Sequence, residues 1–142
     1  MPLTSAGPLV RLRRLDGARK RLLIEAVALL ALASAGTALL PFRRAIRFGC
    51  VARGDRQTAI DDVVWAVETA SRRVPWRTMC IEKGLVAQRL LRLAGVDAIL
   101  HYGARHHHET RKLEAHVWVT VGGTAVVGGA EAGEFAAIAT YP

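Results

Sequence analysis

Two residues of this 142-residue sequence have the chemistry and the order needed for nucleophilic catalysis: Cys80 and, 36 positions later, His116. Thr78 is a candidate N-cap, which places Cys80 in the first turn of a predicted helix. There the backbone N–H groups lack helical acceptors and the helix dipole stabilises a thiolate. His116 falls on a predicted strand, from which a neutral imidazole can take the thiol proton and return it to a leaving amine. The competing reading is structural. Small buried cysteines are common in cores, so a Cys and a His at this separation are not by themselves a site.

The elements that must position this pair follow from the spacing of apolar residues. Leu15–Leu40 predicts one long or broken helix that Pro41 stops, and Gly49 to Gly54 is a joint. From Thr58, the residues Ile60, Val63, Val64 and Val67 mark one face of a second helix, with Asp61 and Asp62 in the first turn where the dipole favours negative charge. The next helix begins near Thr78, runs through Ile81, Leu85, Val86, Leu90 and Leu93, and stops at Gly95. After Gly95 the period changes to two. Val96–Tyr102 and Glu114–Val121 predict strands joined by the polar stretch Arg105–Lys112. Gly122-Gly123 turns the chain into Thr124–Val127, and Phe135–Tyr141 completes the set as an edge strand. The fold class is α+β, N-terminal helices followed by a small antiparallel sheet. The expected division is 1–57, a basic helical region, and 58–142, a catalytic domain.

A helix that opens on Cys followed by a strand carrying His is the arrangement of papain-like and transglutaminase-like folds, and the local text adds to it. The run Cys80-Ile81-Glu82-Lys83-Gly84-Leu85, the Leu-rich continuation to Gly95-Val96, and Ala115-His116-Val117-Trp118-Val119 before the Gly turn together resemble the lasso-peptide leader peptidases of the transglutaminase-like superfamily. The likeness is strongest over residues 75–129. It implies a cysteine protease in which Cys80 is the nucleophile and His116 the general base. The implied substrate is a ribosomally made precursor peptide, cleaved at its leader–core junction. The implied partners are a separate leader-binding recognition protein and an ATP-dependent lasso cyclase, and no cofactor is implied. Trp76 and Trp118 are the candidate substrate-binding residues; Trp76 either walls the site or packs as core.

The third member of the expected triad is where this sequence departs from the family. Family members place an Asp about a dozen residues after the His, and here that stretch is Val127-Gly128-Gly129-Ala130. If Gly122-Gly123 are the two turn residues, Val121 pairs with Thr124, Val119 with Val126, and His116 faces Gly129. Residues 127, 129 and 131 then share the His116 face, and Glu131 is its diagonal neighbour. Glu131 is therefore the expected orienting acid, followed by Glu114, with a backbone carbonyl or Thr120 as the fallback.

Composition and charge weigh the remaining possibilities. The sequence is 51% hydrophobic with 23% charged residues, which excludes collagen-like and low-complexity chains and leaves room for one core. Of its 20 Lys and Arg, 13 lie in residues 1–76 against 6 acids, so the net charge of +8 belongs mostly to the N-terminal half. The run Arg11, Arg13, Arg14, Arg19, Lys20, Arg21 lacks interleaved aromatics, which argues against nucleic acid and for an acidic peptide or a partner protein. His106-His107-His108 with His101 suits a solvated or substrate-lining loop better than a metal site, and no metal is expected. The apolar stretch Leu22–Leu40 is long enough to cross a bilayer, yet it contains Glu25, so a packed helix in a cytoplasmic protein, without an integral span, is expected. Two alternatives remain open: an acyltransferase that passes the acyl group to an amine, and a non-catalytic basic adaptor in which Cys80 is merely packed.

Overall fold

Asp16 opens the first helix, its carboxylate accepting the Arg19 backbone N–H at 2.7 Å. This helix, α1, is Gly17–Leu39, and Pro41 separates it from the short α2, Phe42–Ala45, and a 3-10 turn, Ile46–Phe48. Helix α3 is Ile60–Arg73 and α4 is Cys80–Leu93; the strands are β1, Ala98–His106, β2, Leu113–Val121, β3, Thr124–Val127, and β4, Ala136–Tyr141. The structure, a computed structural model, describes residues 16–142, so the Arg11, Arg13 and Arg14 part of the basic run and Leu15, the expected start of the first helix, lie outside the described residues.

The strands form one antiparallel sheet in the order β3-β2-β1-β4, with a 3-10 turn, Gly129–Glu134, carrying the chain from β3 across to the far edge. The sheet has an inner face towards the helices. Ala98 and Leu100 of β1 and Val117 and Val119 of β2 are buried in one core with Leu85, Val86 and Leu91 of α4, Val63 and Val67 of α3, and Leu23 and Leu30 of α1. Each such Leu or Val side chain contributes about 1.5–3 kcal/mol on burial. The helical region before residue 58 and the strands therefore share one core. Ion pairs fasten α1 further: Arg19 to Asp62 at 2.9 Å, with Arg19 also over the Trp65 ring, and Glu25 to Arg56 at 2.7 Å.

Two local features control where the site residues fall. Gly84 lies against the sheet so closely that a Cβ there would stand 2.6 Å from Val117 Cγ1, which seats α4 on β2. Gln88, fully buried on the same helix, donates its amide to the carbonyls of Ala98 and Tyr141 and ties α4 to both β1 and β4.

The hairpin register corrects the expectation. Val121 pairs with Thr124 as expected, but Val119 pairs with Val127 and not with Val126, because a bulge follows between Val119 and Thr120. One extra residue in a strand reverses the face of everything after it. Val127 thus joins the core on the inner face and does not share the face of His116. The helix start is also corrected: Met79, not Thr78, is the N-cap, and the Thr78 hydroxyl instead donates to the Ser71 carbonyl.

Candidate active site

Cys80 is the first residue of α4, half-buried and packed against the core. Glu82, two residues on and buried, accepts the Met79 backbone N–H at 3.1 Å. This half of a capping box fixes the entry of the chain into the helix and leaves the N–H groups of Cys80 and Ile81 without helical acceptors. Such N–H groups are the natural donors to an oxyanion. Beside this turn, between the end of α1, α2 and the start of α4, lies an open cavity of about 390 Å³ whose walls include Thr37, Leu40, Phe42, Met79, Ile81 and Glu82. Both chain neighbours of Cys80 thus line one mostly apolar hollow.

His116 stands on β2 with its Nε2 2.7 Å from the carbonyl oxygen of Gly128. A carbonyl only accepts, so Nε2 carries the proton and Nδ1 is the basic nitrogen. Gly128 follows His116 by twelve residues, which is the spacing at which the sequence lacks an Asp. It sits in the left-handed region at φ 71°, and an added Cβ would meet the Val117 carbonyl oxygen at 2.7 Å. Glycine is therefore required for this close approach. The ring is further held by Trp118 at 6.0 Å and Phe135 at 5.0 Å between centroids.

The structure does not join the two principal residues. Val117 faces α4, so strand alternation turns His116 to the outer face. There it shares a row with Trp118 and His101, whose rings stack at 5.4 Å. Among the described residues, no hydrogen bond links Cys80 Sγ to the imidazole. Glu131 lies exposed in the 3-10 turn and is not brought to His116. Glu114 is occupied by Arg105 at 2.9 Å, and Arg105 also pairs with Glu134 and covers the Phe135 ring. Thr120 is likewise engaged, its hydroxyl 2.7 Å from His101 Nε2. Burial lowers the pKa of His101 below the usual imidazole value.

Trp118 is 8% exposed and serves as a packing plate for the two histidines. Trp76 is half-buried against the core, with its Nε1 enclosed and unpartnered. Cys50, the second thiol, points its Sγ at the Ile46 carbonyl, and partial burial raises its pKa although Arg92 and Arg47 oppose the shift. The histidines of the loop after β1 line an open cleft with Arg105, Glu109 and Glu134. Among the described residues, no three His, Cys, Asp or Glu side chains are grouped to hold a metal. A backbone carbonyl was expected only as the fallback and without a residue number, whereas the Phe135 cover and the His101–Thr120 bond escaped sequence reasoning. Only the twelve-residue spacing from His116 to Gly128 pointed to that carbonyl.

Residues 22–140 match the family model described as transglutaminase-like superfamily. The match runs across the division expected at residue 57. Compared with curated proteins and with solved structures, the chain matches none.

Proposed function

Because the chain belongs to the transglutaminase-like superfamily, we propose that it is a cysteine peptidase that removes the leader from a lasso-peptide precursor. The observation that carries the chemistry is the imidazole of His116, fixed by the Gly128 carbonyl in the tautomer that leaves Nδ1 basic. A second support is Cys80 at a helix start whose N–H groups are free to receive an oxyanion. The specific substrate rests on the resemblance of residues 75–129 to leader peptidases.

In this reading, the precursor lies along the hollow beside Met79 and Ile81. The Cys80 thiolate attacks the carbonyl carbon of the scissile bond while His116 holds the thiol proton. The C–N bond then breaks, the imidazolium protonates the departing amine, and a thioester joins Cys80 to the leader. Water, deprotonated by the same imidazole, hydrolyses that thioester. The reading requires Nδ1 of His116 to come within hydrogen-bond reach of Cys80 Sγ while Nε2 stays on the Gly128 carbonyl.

The opposite-face placement of His116 specifically favours a second reading, a basic peptide-binding adaptor in which Cys80 only packs. Incubating the protein with a precursor peptide, with and without a leader-binding partner, and weighing the products separates the two. Free leader and free core support the peptidase; a leader joined to an added amine indicates acyl transfer; an intact precursor bound to the protein indicates the adaptor.

A further inference from the structure

Helix α1 is apolar around nearly its whole circumference, with a mean hydropathy of 2.0 over its most apolar window. The row Leu23, Ala26, Leu30 and Ala33 is buried in the core. At 100° per residue, Ile24, Ala28, Ala31, Leu32, Ala35 and Leu39 fall on the opposite side. Among the described residues nothing covers that side: Ile24 is 67% exposed, Leu32 60% and Leu39 82%. A helix of this composition is ordinarily covered all round, and this fold covers one side of it.

Charge selects what covers the other. Arg21 lies on the outward side one turn before Ile24, and the exposed Arg43, Arg44 and Arg47 follow the far end of the helix. The outward row holds no acid, and the nearby Glu25 carboxylate is taken by Arg56. An apolar strip bracketed by cations has the chemistry of a helix lying in the interface of an anionic bilayer. A second copy of the chain fits poorly, because two strips laid together in antiparallel fashion oppose Arg21 of one copy to Arg43 and Arg44 of the other. A membrane span fits poorly too, since withdrawing α1 would strip Val63, Ala66, Val67 and Ala70 of α3 of their cover.

We propose that the outward face of α1 docks the protein peripherally on anionic lipid, with the helix parallel to the bilayer plane. This docking is independent of the chemistry at Cys80.

Flotation of the full chain with vesicles of phosphatidylcholine alone, or mixed with phosphatidylglycerol, tests it. Binding to the anionic vesicles is expected to exceed binding to the neutral ones by about tenfold or more, and to fall in high salt as the cations are screened. Leu32→Glu is expected to reduce it about tenfold with an unchanged circular-dichroism melt, since Leu32 is outside the core. Replacing Arg43 and Arg44 by Gln is expected to remove the preference for anionic lipid. Failure to float with either vesicle, equal binding to both, or full binding by Leu32→Glu would overturn the proposal. So would a salt-independent dimer that Leu32→Glu dissociates, which assigns the face to a second copy. Resistance of the bound protein to alkaline extraction would also overturn it, in favour of a span.

Discussion

Cys80 and Cys50 are both free thiols, and their surroundings separate them. Cys50 is the more exposed of the two, but desolvation raises its thiol pKa, whereas Cys80 is half-buried at the opening of a helix. Alkylation by iodoacetamide near neutral pH should therefore label Cys80 first, and peptide mapping reads the ratio. Cys80→Ala should abolish leader cleavage while Cys50→Ala retains it. With Glu131 exposed and the Gly128 carbonyl on His116, Glu131→Gln should leave the cleavage rate within about twofold of wild type; a tenfold loss would return the orienting role to the carboxylate. Gly128→Ala should destabilise the fold by at least about 1–2 kcal/mol, because an L-residue is forced into the left-handed region against the Val117 carbonyl. His101 gives a pH signature. Its folded pKa is lowered, so the unfolded chain binds more protons in the acid range. The stability this contributes is present above the ordinary imidazole pKa of about 6.5 and is lost as pH falls through the lowered folded value. The urea midpoint should thus fall between pH 7 and 5 more steeply in wild type than in His101→Gln.

At the scale of elements, Gly84 is the contact on which the sheet and α4 meet. Gly84→Val should push the helix off Val117 and cost about 1–3 kcal/mol, seen as a lower urea midpoint with an unchanged slope. The strands and helices themselves were legible because their periods differ: Ile60, Val63 and Val67 mark a helix face, and Val117, Val119 and Val121 alternate along a strand. Gly95 ends α4 in the left-handed conformation that its position suggested. The bulge at Val119–Thr120 was not legible, since Thr124-Ala125-Val126-Val127 carries two consecutive valines and either register buries one of them. That single ambiguity decided the candidate acid, because it determines which of residues 127 to 131 could face His116. The orienting group was hidden for a second reason. It is a main-chain carbonyl, and every residue type carries one. Cys80 and His116 were legible as residues, but the face on which His116 stands depends on which side of β2 receives α4, which a sequence does not state.

The whole molecule is held together by α1 as much as by the sheet. Leu30 is fully buried where α1 meets the rest of the core, and Leu30→Ala should cost about 2–5 kcal/mol, lowering the stability of the strands along with the helix in a single urea transition. The family match from residue 22 agrees with that unity. The same helix turns its other side outward, so one element both completes the core and offers the docking face. Chemistry and packing meet at β2, which carries Val117 towards α4 and His116 away from it. Catalysis through Cys80 and His116 therefore requires a covalent intermediate that no packing role would produce. Mixing the protein with a leader-containing precursor, quenching in acid at short times and weighing the intact chain tests this most directly. The account predicts a transient mass increase equal to the leader fragment less one water, mapped to Cys80, absent in Cys80→Ala and strongly reduced in His116→Ala. Leader release that proceeds undiminished in Cys80→Ala or His116→Ala, or an adduct mapped to Cys50, would contradict it.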